Sequence, residues 1–246
     1  MKASIRFKLK AINRFANRVT LVALLVYISL MVWFHFPKTT FNSGVLHLNI
    51  DKEIKQHVIR AEPEIISRLK RSEFYSDAFT LKMTIASHNF QYIVMVPYFP
   101  RSFGAAYPFF NYAFIAPIDA QTGEIIAGAR TKLQPATPSL EDVIAHEGIH
   151  LMVNKALGSV KARLLPTWKY EGYAEHISPP KHRDAKKMLA DFCEGTLEDS
   201  GPSDYFLYRL AVGHLMEAKG MTGRDVFESD LEFYDVLSEV KSLRCL

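Results

Sequence analysis

Two histidines four residues apart, with a glutamate directly after the first, stand inside the apolar run VIAHEGIHLMV at residues 143–153. On a helix, residues four apart share a face, so the imidazoles of His146 and His150 can reach one ion. Glu147 leaves the helix in a neighbouring direction, where it can hold an activated water and take its proton without being a ligand. Two imidazoles do not complete a catalytic zinc site, which uses three protein ligands and keeps one position open for water. A third donor is offered by LPTWKYEGYAEHIS, residues 165–178, in which Glu171 and Glu175 are again four apart. Glu171 is the candidate third ligand. Glu175 is the candidate acceptor of a hydrogen bond that fixes the tautomer of a ligand histidine. The competing readings are ordinary ones: buried histidines satisfied by a polar network without metal, and solvated carboxylates on a surface helix.

For these groups to meet, both segments must be helical. Pro138, Ser139 and Asp142 read as a helix start and Gly158 as its end, while Thr167 reads as the cap of the second helix. An interior glycine such as Gly148 costs about 1 kcal/mol relative to alanine, which fits a position where another segment passes close by. Helical periodicity runs over 139–157, 167–177, 184–193 and 203–219, and over 51–71, where Pro63 is expected to bend or divide the helix. Ahead of the motif, FTLKMTIA (79–86), QYIVMVPY (91–98) and NYAFIAPI (111–118) read as strands, and DAQTGE as a turn into EIIAGA. A small sheet followed by helices predicts an α+β domain with two lobes and a cleft between them.

The chain has 246 residues and is 48% hydrophobic, enough for one domain with a substantial core. Its formal net charge of +4 is concentrated at one end. Lys2, Arg6, Lys8, Lys10, Arg14 and Arg18 crowd residues 1–18, which contain no acid; the other 24 basic residues face 26 acidic ones. The body is therefore close to neutral, which argues against nucleic acid as a partner. Residues 19–36, VTLVALLVYISLMVWFHF, carry no formal charge. As a helix they would cover roughly 27 Å, close to the thickness of a bilayer core. A single-pass transmembrane anchor is expected, with the basic tail cytoplasmic and Trp33, Phe34 and Phe36 at the far interface. The alternatives are a cleaved secretory signal, for which FHFPKTTFNSG lacks a small-x-small site, and an apolar core helix. The expected organisation is a cytoplasmic tail (1–18), an anchor (19–36), a linker (37–44) and a catalytic domain (45–246) in the periplasm or an equivalent outer space. Cys193 and Cys245 can pair in such an oxidising compartment, the alternative being a buried thiol at Cys193.

With HEGIH at 146–150 and WKYEGYAEH at 168–176 in view, the chain resembles the gluzincin metallopeptidases, in particular the peptidase MA-like proteins. The second segment is similar to the aminopeptidase pattern W-x-x-E-G-x-A, whose glutamate falls on Glu171, and Glu175 matches an acidic position of the thermolysin-like relatives. The resemblance is specific over about 139–177 and weak elsewhere. It implies a zincin-like domain, a sheet lobe plus a helical lobe, behind the N-terminal transmembrane helix. It implies zinc held by His146, His150 and Glu171, with Glu147 as the general base of peptide-bond hydrolysis. The substrate would be a peptide or protein, paired with an edge strand for which NYAFIAPI is the candidate. A further donor usually stabilises the oxyanion; Tyr205, Tyr208 and His214 are available in SDYFLYRLAVGHLMEAKG (203–220), with Tyr205 preferred and core tyrosines as the plain alternative. A second functional class stays open: a membrane-tethered binding or assembly factor that keeps the fold without proteolysis. A third is a purely structural anchored domain.

Overall fold

The computed structural model describes residues 17–29, 39–98, 102–126, 137–181, 183–197 and 201–245. The chain divides into two compact units, Met1–Pro37 and Lys38–Leu246. In the first unit, residues 17–29 are helical and exposed. Among the described residues no helix is long and apolar enough to cross a membrane. The remainder of the expected anchor, 30–36, lies outside the described residues.

The second unit is an α+β body with one five-stranded sheet and mostly helical content after it. Strands β1 (Thr39–Ser43) and β2 (Leu46–Ile50) form an antiparallel hairpin. Within the segment expected to be a linker, Thr39–Ser43 is therefore a strand of the sheet; in its partner β2, Leu46, Leu48 and Ile50 are buried in alternation, which fixes the face β2 presents. Helix α1 (Lys55–Leu69) crosses over to β3 (Leu81–Ile85), which runs parallel to β2. Pro63 lies inside α1 without dividing it. Strand β4 (Gly104–Tyr107) and strand β5 (Tyr112–Ile115) make a second antiparallel hairpin, giving the order β1-β2-β3-β5-β4.

Two expectations fail here. Asn89–Met95, which takes in the first half of the segment 91–98 read as a strand, is helix α2: His88 caps it by accepting from Gln91 N at 3.1 Å, and the buried Gln91, Tyr92 and Met95 follow helical spacing. A short apolar run ended by a proline fits either state by periodicity alone. β5, expected at the edge, is interior, parallel to β3 on one side and antiparallel to β4 on the other; the edge strand on that side of the sheet is β4.

Helix α3 (Leu140–Leu157) carries the HEGIH motif and is buried around nearly its whole circumference. It packs on α1 and on β3, β4 and β5. A Cβ on Gly148 would fall 2.8 Å from Leu69 Cδ2, so the glycine admits the close passage of α1 that its occurrence implied. After α4 (Ser159–Leu164), helix α5 (Thr167–Ile177) packs closely on α7 (Gly201–Gly213). At their crossing a Cβ on Gly172 would lie 2.5 Å from the Tyr208 carbonyl oxygen. Helix α6 (Ala185–Glu194), α8 (Gly223–Glu228) and α9 (Phe233–Arg244) complete the body. Phe192, Phe206, Leu210 and Val240 join α6, α7 and α9 in a shared apolar cluster, beside which Cys193 and Cys245 form a disulfide.

The start of α3 is fixed by charge. Ser139 and Asp142 make a reciprocal capping box, with Asp142 N donating to Ser139 Oγ at 3.2 Å and Ser139 N to Asp142 Oδ2 at 3.0 Å. The other oxygen of Asp142 accepts from the buried Arg68 Nη1 at 2.7 Å. Arg68 also reaches Glu64 at 2.9 Å and Ser178 Oγ at 3.3 Å, tying α1 and the end of α5 to the first turn of α3.

Candidate metal centre

One turn separates His146 from His150 on α3, and α5 brings Glu171 across to both. His146 Nε2 and His150 Nε2 stand 3.0 Å apart, and Glu171 Oε2 lies 3.1 Å from the first and 3.2 Å from the second. These three atoms form a group that could hold a metal ion. Hydrogen bonding alone satisfies the triangle poorly. If both ring nitrogens donate to the carboxylate, their protons oppose each other across the third side; a cation takes a lone pair from all three. Burial would raise the Glu171 carboxyl, but the two imidazoles, His150 foremost, hold it well below the usual carboxylate range.

Glu147 lies against the edge strand β4. Its carboxylate accepts from the backbone of Ala106 on β4, and Oε2 has no hydrogen-bond partner among the described residues. A Cβ on Gly104 would lie 2.6 Å from Glu147 Oε1, so any larger residue there would displace the carboxylate from its present position. Burial pushes its pKa up to about 7; Glu171 adds to the rise, and His146 and Ala106 oppose it. A pKa near the working pH suits a group that takes a proton and returns it.

Glu175 is buried on the far side of His146, with Oε1 3.9 Å from Nδ1, too long for a direct hydrogen bond. Its other oxygen accepts from Arg183 Nη1 at 3.0 Å. Of the three donors suggested by the sequence, Tyr205 is at the site: its ring centroid is 6.3 Å from that of His146. Burial raises its pKa, and Glu171, Glu147 and Glu175 raise it further, so the phenol stays protonated and able to donate. Tyr208 packs edge-on against Phe233 at 5.2 Å, and His214 Nε2 faces Glu239 at 3.4 Å.

Three features were missed by the sequence reading. Tyr170, directly before Glu171, stacks on His150 with centroids 4.1 Å apart and planes at 15°. Asn154, one turn beyond His150, accepts from the Tyr170 hydroxyl at 2.9 Å. Arg183 holds Glu175. The first two lay inside segments already singled out and could have been found from their spacing; nothing in the sequence marks Arg183.

Scanned against protein-family models the chain matches none, and a search of curated proteins finds no match.

Proposed function

We propose that this chain is a membrane-anchored zinc metallopeptidase with a zincin-like, two-lobed catalytic domain of the gluzincin type. The observation that carries the reading is the convergence of His146, His150 and Glu171, with atoms 3.0–3.2 Å apart, beside a buried Glu147. Zinc bonds of about 2.0–2.1 Å place tetrahedral donors about 3.3–3.4 Å apart, close to those separations. Two imidazoles and a carboxylate suit zinc better than magnesium or calcium, which prefer oxygen ligands.

Zinc held by these residues would supply Lewis acidity, making a bound water acidic and polarising the scissile carbonyl. Glu147 takes the proton as the water attacks and passes it to the leaving amine. The Tyr205 hydroxyl donates to the developing oxyanion. Strand β4, with one edge free of sheet pairing among the described residues, offers backbone donors and acceptors to an extended peptide whatever its side chains. Arg183 donates to Glu175 and holds it beside His146. Anchorage through residues 19–36 would place this domain outside the cytoplasm, where the Cys193–Cys245 disulfide persists.

The test is cleavage of unfolded protein substrates by the parent and by Glu147→Gln, with metal content measured in both. The expected result is equal zinc and a rate lower by about 10²–10⁴-fold in the variant. Equal cleavage by both forms would remove Glu147 from the mechanism.

A further inference from the structure

We infer that Tyr170 is a positioning residue for the ion ligand His150, holding the imidazole by its face rather than through its second nitrogen; the inference rests on the metal-site reading above. A histidine that ligates through Nε2 carries its proton on Nδ1, and that N–H ordinarily goes to a carboxylate or carbonyl that fixes the ring. His146 has such a group nearby in Glu175, itself held by Arg183. His150 does not. Its ring is buried, and Nδ1 has no hydrogen-bond partner among the described residues.

The Tyr170 ring supplies the missing restraint. It lies nearly parallel to the imidazole, with centroids 4.1 Å apart and an interplanar angle of 15°. Stacking limits rotation about the bond that would carry Nε2 out of the ligand triangle. The tyrosine is fixed at its other end, because its hydroxyl donates to Asn154 Oδ1 at 2.9 Å and Asn154 is only 2% exposed. Asn154 stands on α3 one turn after His150, so the restraint closes on itself: helix backbone, amide, hydroxyl, ring, imidazole. Moving the ring off His150 would break a buried hydrogen bond and leave the amide oxygen without a partner in a dry place. Tyr170 also precedes Glu171 on α5, so the same helical turn delivers the third ligand and the clamp. The spacing of α3 and α5 at the site is thereby set by both together.

A tyrosine that only fills the core predicts something different: its loss would lower stability without changing how the folded protein binds metal. The full chain, stripped of metal, allows the two to be separated by three measurements: zinc affinity by competition with a chromophoric chelator, the absorption spectrum of the cobalt-loaded form, and the melting temperature without metal. Tyr170→Leu, which removes ring and hydroxyl, is expected to weaken zinc binding by about 10–100-fold and to shift the cobalt bands. Tyr170→Phe keeps the stacked ring and is expected to weaken it by at most about 3-fold, as befits loss of the outer tether alone. A folded Tyr170→Leu protein with the parent's zinc affinity and cobalt spectrum overturns the proposal. Should that variant fail to fold, Tyr170→Met, which keeps apolar bulk but has no ring face, takes its place, with weaker zinc binding and altered cobalt bands expected and parent values for both overturning the proposal. A parent chain that binds no zinc would instead sink the metal-site reading, and this inference with it.

Discussion

Helix α3 carries two buried polar clusters, and they are built on opposite principles. At its first turn, Arg68, Asp142, Ser139 and Ser178 satisfy one another: the guanidinium donates to three side chains and both Asp142 oxygens accept. One to three turns further on, the cluster around His146 leaves buried polar atoms over: Glu147 Oε2, His150 Nδ1 and Asn154 Nδ2 have no hydrogen-bond partner among the described residues. Buried polar groups are nearly always satisfied, and a concentration of exceptions calls for a ligand, an ion or chemistry. Proximity in one helix makes the contrast informative, since both clusters share the same backbone and much the same burial. The first holds the fold in register; the second is held by it.

That contrast can be broken or sharpened by substitution. The largest effect is expected at the satisfied cluster. Arg68→Ala leaves Asp142 buried without its cation and is expected to destabilise the protein by about 3–5 kcal/mol, read from denaturant midpoints. Whatever remains folded should still bind one equivalent of zinc, because no ligand is touched. Loss of metal in the folded fraction would mean that the two clusters are not separable. At the second cluster the pattern reverses. Tyr205→Phe is expected to lower the rate of peptide hydrolysis by about 10²–10³-fold, the effect of losing one oxyanion donor, with the melting temperature nearly unchanged. A parent-like rate would return Tyr205 to the core.

The smallest effect concerns pH and lies outside both clusters. Burial, assisted by Arg209 and Arg71 against the opposing Glu217, holds His176 below its ordinary value of 6.5. The unfolded chain therefore binds this proton more readily than the folded one. Its contribution to stability is complete above about pH 6.5 and is lost as the pH falls through the folded value. His176→Gln is expected to flatten the fall in stability as the pH drops below about 6.5, in melting curves taken across that range. An unchanged slope would assign the acid sensitivity to other groups.

What could be read from the sequence follows from how local each signal is. The capping box at Ser139, the histidine spacing and the end of α3 before Gly158 are each set by residues a few positions apart, and the structure places them as expected. Glu171 was legible from its spacing of four to Glu175 and from the resemblance of WKYEGYA to a known pattern; why a glycine follows it was not, since Gly172 is where α7 crosses. The β1–β2 hairpin was not legible. TTFNSG is rich in turn formers, and its strand character comes from pairing with 46–50, while Gly44 takes the turn with φ of 52°. Strand order was out of reach for a different reason. Whether β4 or β5 lies at the edge depends on which of them meets β3, a contact between segments distant in sequence. The side-chain clamps show the same limit, since Arg183 and Glu175 are joined by the path of the chain between α5 and α6.

The account depends on one ion being held by His146, His150 and Glu171. X-ray absorption at the zinc edge of the purified full chain tests this most directly. The predicted result is one zinc per chain, surrounded by nitrogen and oxygen at about 2.0–2.1 Å with imidazole scattering from two rings, which falls to one ring in His150→Ala. A protein that retains no stoichiometric metal, or one whose zinc spectrum is the same in parent and His150→Ala, would contradict it.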